Sequence, residues 1–113
     1  MDESLTAERV GRNEALFRQV NEQVEELSRT LSNRGDPTMN VVCECGDLGC
    51  VAGLVVSLAA YERVRSDPAL FFVQPGHELP DVEEVVEKQA GYHVVRKRPG
   101  TPEEIATETD PRS

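Results

Sequence analysis

Cys43–Glu44–Cys45–Gly46–Asp47–Leu48–Gly49–Cys50 is the stretch on which the reading of this chain turns. Its pattern is C-x-C-x4-C. In a strand, residues i and i+2 point to one face, so Cys43 and Cys45 present two sulfurs side by side as a strand ends. The glycine-bearing turn Gly46–Gly49 then brings Cys50 back toward them. Three thiolates packed together repel one another and stay protonated without a cation. Zinc deprotonates them and forms strong Zn–S bonds. The knuckle therefore reads as three ligands of a structural zinc site, which takes four. Three thiolates and one Zn²⁺ leave a net charge of about −1 at the centre. Backbone N–H groups of the Gly46–Gly49 turn, or an arginine, are expected beside it.

With three cysteines and two histidines in the chain, a histidine or a carboxylate must close the set. His77 follows Pro75–Gly76, a turn that can aim a side chain inward. His93 lies in an expected strand, on the face of Val95 and Lys97. His77 is preferred, giving Cys43, Cys45, Cys50 and His77, with His93 as the alternative. Other chemistries fit less well. An iron–sulfur cluster normally takes a fourth cysteine. A thiol/zinc redox sensor would use the same cysteines, losing zinc on their oxidation. A zinc-dependent hydrolase or deaminase would need an open coordination position, with Glu44 or Glu78 as general base. Neither an H-E-x-x-H nor an H-x-E with P-C-x-x-C pattern accompanies it. Gly46, Gly49 and Gly53 make no phosphate loop, and Ser57 and Ser66 sit in no nucleophile motif.

Outward from the knuckle, Thr38 to Cys43 reads as a strand, and Val51 to Val56 as its hairpin partner. Ser57 caps a short helix from Leu58 to about Arg65, stopped by Asp67–Pro68. Leu70 to Val73 is a third strand. Asp81, with Glu83 and Glu84 in the first turn, predicts a helix from Val82 to about Gln89, ended by Gly91. Tyr92 to Lys97 alternates as a fourth strand. Thr101–Pro102–Glu103–Glu104 opens a last short helix, and Asp110 to Ser113 is expected to fray.

Upstream, Thr6 to Leu31 reads as one long helix with Thr6 as N-cap. Its apolar stripe is Val10, Phe17, Val20, Val24, Leu27 and Leu31, at spacings of 7, 3, 4, 3 and 4. That is a and d periodicity, with Asn13 where a stripe residue would stand. Glu8–Arg12, Glu14–Arg18 and Glu25–Arg29 are favourable i,i+4 pairs. Asn33–Arg34–Gly35–Asp36–Pro37 is a strong stop. The stripe packs on the rest of the domain or meets a partner helix, a homodimer included.

These elements predict an α+β fold: a long N-terminal helix on a small, mostly antiparallel sheet, with two to three short helices and a zinc site. The 113 residues suit a single domain. It divides into the helix at 6–33, a zinc-stapled core at 38–98, and an acidic tail with a short helix at 99–113. Aromatic residues are 4% and tryptophan is missing, so such a core gains from a metal staple. The net charge of −9 argues against direct binding to nucleic acid or anionic membranes and for a protein partner with a basic surface. Arg96–Lys97–Arg98 reads as a solvated strand end. Glu78, Asp81, Glu83, Glu84 and Glu87 form an acidic face. No apolar run reaches the ~18 residues a membrane span requires, which predicts a cytoplasmic protein with reduced thiols.

Arg12–Asn13–Glu14–Ala15–Leu16–Phe17–Arg18, Val20–Asn21–Glu22, the Cys43–Asp47 stretch with Cys50, Tyr61–Glu62–Arg63–Val64–Arg65, Pro75–Gly76–His77–Glu78 and Thr109–Asp110–Pro111–Arg112 resemble an uncharacterised family of small actinobacterial proteins. The resemblance spans most of the chain and implies no activity. It does imply that Cys43, Cys45, Cys50 and His77 belong together. Val51–Ala52–Gly53 departs from it, since more polar residues are expected there. The expected function is a zinc-binding, non-enzymatic protein-interaction or regulatory module.

Overall fold

The computed structural model describes residues 3–31, 38–45, 47, 49–50 and 52–112, and in the first helix the side chains of residues 11–27. The fold is α+β, with three helices and two small antiparallel sheets among these residues. Helix α1 (Glu3–Leu31) is followed by strands β1 (Thr38–Val42) and β2 (Gly53–Ser57). Helix α2 (Leu58–Arg65) and strand β3 (Leu70–Val73) come next, then β4 (Glu83–Lys88), β5 (His93–Lys97) and helix α3 (Thr101–Glu108). The expected stop at 33–37 lies outside the described residues, as do Gly46, Leu48 and Val51 of the knuckle region.

Strands β1 and β2 pair antiparallel, Val41 opposite Leu54 and Met39 opposite Val56. These four residues are buried and alternate with exposed ones, as a strand with one covered face requires. Ser57 caps α2, its hydroxyl accepting from the Ala60 N–H at 3.0 Å. The second sheet runs in the order β3-β5-β4. Phe71 and Phe72 of β3 and Val94 and Val95 of β5 fill the core. Tyr61 of α2 stacks on Phe72 at 5.8 Å, and Tyr92 meets the same ring edge-on at 5.4 Å.

The segment expected as a helix over 82–89 is the strand β4. One turn does form, the Val82 and Glu83 N–H groups both donating to the Leu79 carbonyl. The chain then extends and pairs with β5 across a bulge between Val85 and Glu87. The β-branched pair Val85–Val86 suits an edge strand. Glu83 and Glu87 point to ion partners that a helix would not reach together: Lys97 for the first, Arg63 for the second. Gly100, at φ 102°, stands at the N-cap of α3 in place of Thr101, with Pro102 in its first turn. Asp110–Arg112 does not fray. Arg112 pairs with Glu22 and Glu25 of α1 and Glu62 of α2.

Helix α1 holds the largest departure from the sequence reading. The face turned to the core is polar: Glu14, Arg18, Asn21 and Glu25 are all buried. Val20 and Leu27 of the expected stripe are exposed, and Phe17 and Val24 are half-buried. Each inward polar group has a distant partner. Glu14 and Glu83 flank the Lys97 ammonium at 2.5 Å each. Arg18 donates to the Ala106 carbonyl and the Thr109 hydroxyl at the C-terminal end of α3, and to the Pro68 carbonyl. A guanidinium at a helix C-terminus satisfies its free carbonyls and suits its dipole.

Candidate metal centre

The knuckle lies where the chain passes from one sheet to the other. The Cys43 N–H still donates to the Ala52 carbonyl, continuing the β1–β2 ladder at 2.9 Å. One residue later the Glu44 N–H donates to the Phe72 carbonyl of β3 at 2.8 Å. Glu44 is thus fixed between the sheets, and Cys43 and Cys45 on either side of it take up positions set by both. The turn that follows is closed by the Cys50 N–H on the Asp47 carbonyl and the Gly49 N–H on the Asp47 side chain.

His77 arrives from the other side. Gly76, at φ 93°, makes the reversal after Pro75, and the His77 N–H donates to the Gln74 carbonyl. Its Nδ1 stands 3.5 Å from the Cys50 Sγ and 3.7 Å from the Cys43 Sγ. The donor atoms of Cys43, Cys45, Cys50 and His77 all lie within 4.8 Å of one another, so a single metal ion could reach all four. The three cysteines are free and buried. His93 is not in this group. It lies in β5 with Nδ1 3.7 Å from a Glu78 carboxylate oxygen, too far for a hydrogen bond.

Burial pushes the Cys43 thiol up, partly offset by the Gln74 N–H, which donates to its sulfur at 3.1 Å. Burial raises the Cys45 thiol too, against the pull of the Asp47 backbone N–H. For Cys43 and Cys45 the neutral thiol is therefore favoured without a cation. A soft divalent ion reverses that preference, because the thiolate is the ligand. The N–H donors expected near the sulfurs come from Asp47 in the turn and from Gln74 outside it.

Glu44, expected as general base only in the catalytic alternative, has both carboxylate oxygens engaged within the fold. Oε2 accepts from Arg65 at 2.9 Å and Asn21 at 2.7 Å; Oε1 accepts from the Phe72 N–H at 2.9 Å and Arg65 at 3.3 Å. Asn21 also exchanges two hydrogen bonds with the Val42 backbone, as a neighbouring strand would. Asn21 and Arg65 were not singled out from the sequence as site residues. The available signal was the polar set Glu14, Arg18, Asn21 and Glu25, whose spacings of 4, 3 and 4 are as helical as the apolar stripe.

No helix among the described residues is long and apolar enough to cross a membrane. Compared with family models, with curated proteins and with solved structures, the chain matches none.

Proposed function

We propose that this protein is a zinc-binding, non-enzymatic protein-interaction or regulatory module, with one Zn²⁺ held by Cys43, Cys45, Cys50 and His77. The observation that carries the reading is the convergence of these four donors. Zinc with Zn–S of about 2.3 Å and Zn–N of about 2.0 Å in a tetrahedron places a sulfur and a nitrogen about 3.5 Å apart. The 3.5 and 3.7 Å from His77 Nδ1 to the two sulfurs match that spacing. Three thiolates and one imidazole are a usual structural zinc set, and four protein ligands leave no position for a reacting water. Burial of the cysteines favours a structural metal over a redox sensor, whose thiols need access. The net charge of −9 supports a partner with a basic surface, and reduced, metal-bound thiols suit the cytoplasm.

Metal analysis of the purified protein tests this directly. One zinc per chain is expected. Cobalt substitution should give the visible bands of a tetrahedral thiolate site. His77→Ala should lose most of the affinity while His93→Ala keeps it. A metal-free protein, or the opposite ranking of the two histidine variants, overturns the assignment.

A further inference from the structure

Helix α1 is held to the domain by hydrogen bonds and ion pairs more than by apolar packing. Among the described residues, none of the buried apolar core comes from α1, and from this helix Val24 alone packs against that core. Undocking it would expose little apolar surface. It would also return Glu14, Arg18 and Asn21, and the Lys97 ammonium, to water. The desolvation of buried charges offsets much of their mutual attraction, so the docking of such a helix is finely balanced. At the centre of this polar face, Asn21 straddles the first cysteine of the metal centre. Its Nδ2 donates to the Val42 carbonyl at 2.9 Å and to Glu44 Oε2 at 2.7 Å, and its Oδ1 accepts from the Val42 N–H at 2.8 Å. Cys43 lies between these two residues and Cys45 follows them. A side chain that grips residues 42 and 44 fixes the backbone from which the Cys43 sulfur projects. Glu44 also accepts from Arg65 of α2 and from the Phe72 N–H of β3, which anchors the grip to the rest of the fold.

We propose that the docking of α1 and the occupancy of the metal centre are coupled, each strengthening the other, with Asn21 as the positioning residue that carries the coupling. This rests on the zinc site proposed above. Zinc on Cys43 and Cys45 fixes Val42 and Glu44 where Asn21 meets them. Asn21 in place holds the two sulfurs where the metal needs them. Such a coupling is reciprocal: the factor by which docking raises metal affinity is the factor by which metal raises docking. Metal loss therefore loosens α1, and whatever draws α1 away weakens the hold on the metal. The two-state element is the helix itself, which leaves the apolar core of the sheets in place when it moves.

The test is the zinc affinity of the full chain, measured by competition with a chromophoric chelator. Residues that support metal ligands change affinity by about 10–100-fold when removed. Asn21→Ala is expected to weaken zinc by at least about tenfold although all four ligands remain. Arg18→Met loosens α1 at α3 and Pro68, away from the knuckle, and should weaken zinc by a smaller factor. Val85→Ala, a loss of packing in β4, should lower the melting temperature and leave zinc affinity unchanged. A second measurement needs no variant. Chelating the natural chain in the cold should speed hydrogen exchange at the α1 amides of residues 14–25, while β3 and β5 keep their protection. Equal zinc affinity in Asn21→Ala and the natural chain overturns the coupling and leaves the zinc site standing. So does exchange that rises in β3 and β5 as much as in α1. A natural chain that holds no zinc overturns both the coupling and the site it rests on.

Discussion

Glu44 sits between two cysteines, where a carboxylate would ordinarily raise the cost of gathering three thiolates. Arg65 cancels its charge, while Asn21 and the Phe72 amide fill its remaining lone pairs. It acts as a peg for the knuckle. Removing one partner of a buried ion pair strands the other, at about 3–5 kcal/mol. Glu44→Ala is expected to lose that much in denaturant titrations and to weaken the metal although no ligand is touched. Glu14 gives a second residue-scale prediction. Burial pushes its carboxyl up to about 8 from 4.5, against the opposing pull of Lys97. Folded Glu14 keeps its proton through a pH range in which the unfolded chain has released it. Folding then takes up a proton, and stability falls as pH rises from about 4.5 to about 8. Glu14→Gln, a neutral isostere, should flatten that decline in melting curves run at several pH values with metal bound. At this scale the convergence of the three cysteines with His77 was legible, since strand alternation and a Pro-Gly turn are local signals. Glu14, Arg18 and Asn21 were not, because their partners Lys97, Ala106 and Glu44 are 83, 88 and 23 residues away.

Among the elements, β1, β2, α2, β3 and β5 were readable from alternation, the Ser57 cap and prolines, while α1 and α3 were readable in extent but not in their caps: α1 begins at Glu3, ahead of Thr6, and Gly100 precedes Thr101. The strand β4 was not. Asp81 and the acidic first turn are helix-start signals, and they do produce one turn at Leu79–Glu83. Pairing with β5 then overrides local preference, as tertiary context commonly does. The packing of α1 on α3 also depends on contact between distant segments. A Cβ at Gly11 would stand 2.7 Å from Ile105 Cγ2, so the helices approach closely only because that residue is glycine. Gly-to-Ala in a helix interior ordinarily stabilises by roughly 1 kcal/mol. Gly11→Ala is expected to destabilise instead. In an Ile105→Ala background, where the clashing methyl is gone, the same change should stabilise. Thermal melts of the four proteins decide it, and a stabilising Gly11→Ala in the natural background would refute the close approach.

Across the whole molecule, the Cys/His cluster and the ion pairs join segments distant in sequence. The Cys43–His77 contact spans 34 residues, and Arg112 reaches back 90 to Glu22. Chelation is therefore expected to lower the melting temperature strongly, as structural zinc sites hold of order 10 kcal/mol of coupled folding energy. Arg112→Ala should cost about 1 kcal/mol at low ionic strength and less in high salt, since the side chain is partly exposed and screened. The overall charge was legible; its internal use was not. Glu14, Glu22, Glu25, Glu44, Glu62, Glu83 and Glu87 all face cations within the chain. The acidity left at the surface comes from residues such as Glu84, Glu103 and Glu104, which are exposed.

The peg at Glu44 also orders events in time. As the chain leaves the ribosome, the three cysteines emerge well before Arg65, 21 residues past Glu44, and His77, 27 past Cys50. Until then the knuckle carries an uncancelled carboxylate and one donor too few. A metal ion that needs all four donors would be captured late in synthesis, and a peptide spanning only residues 38–57 should hold zinc far more weakly than the finished chain.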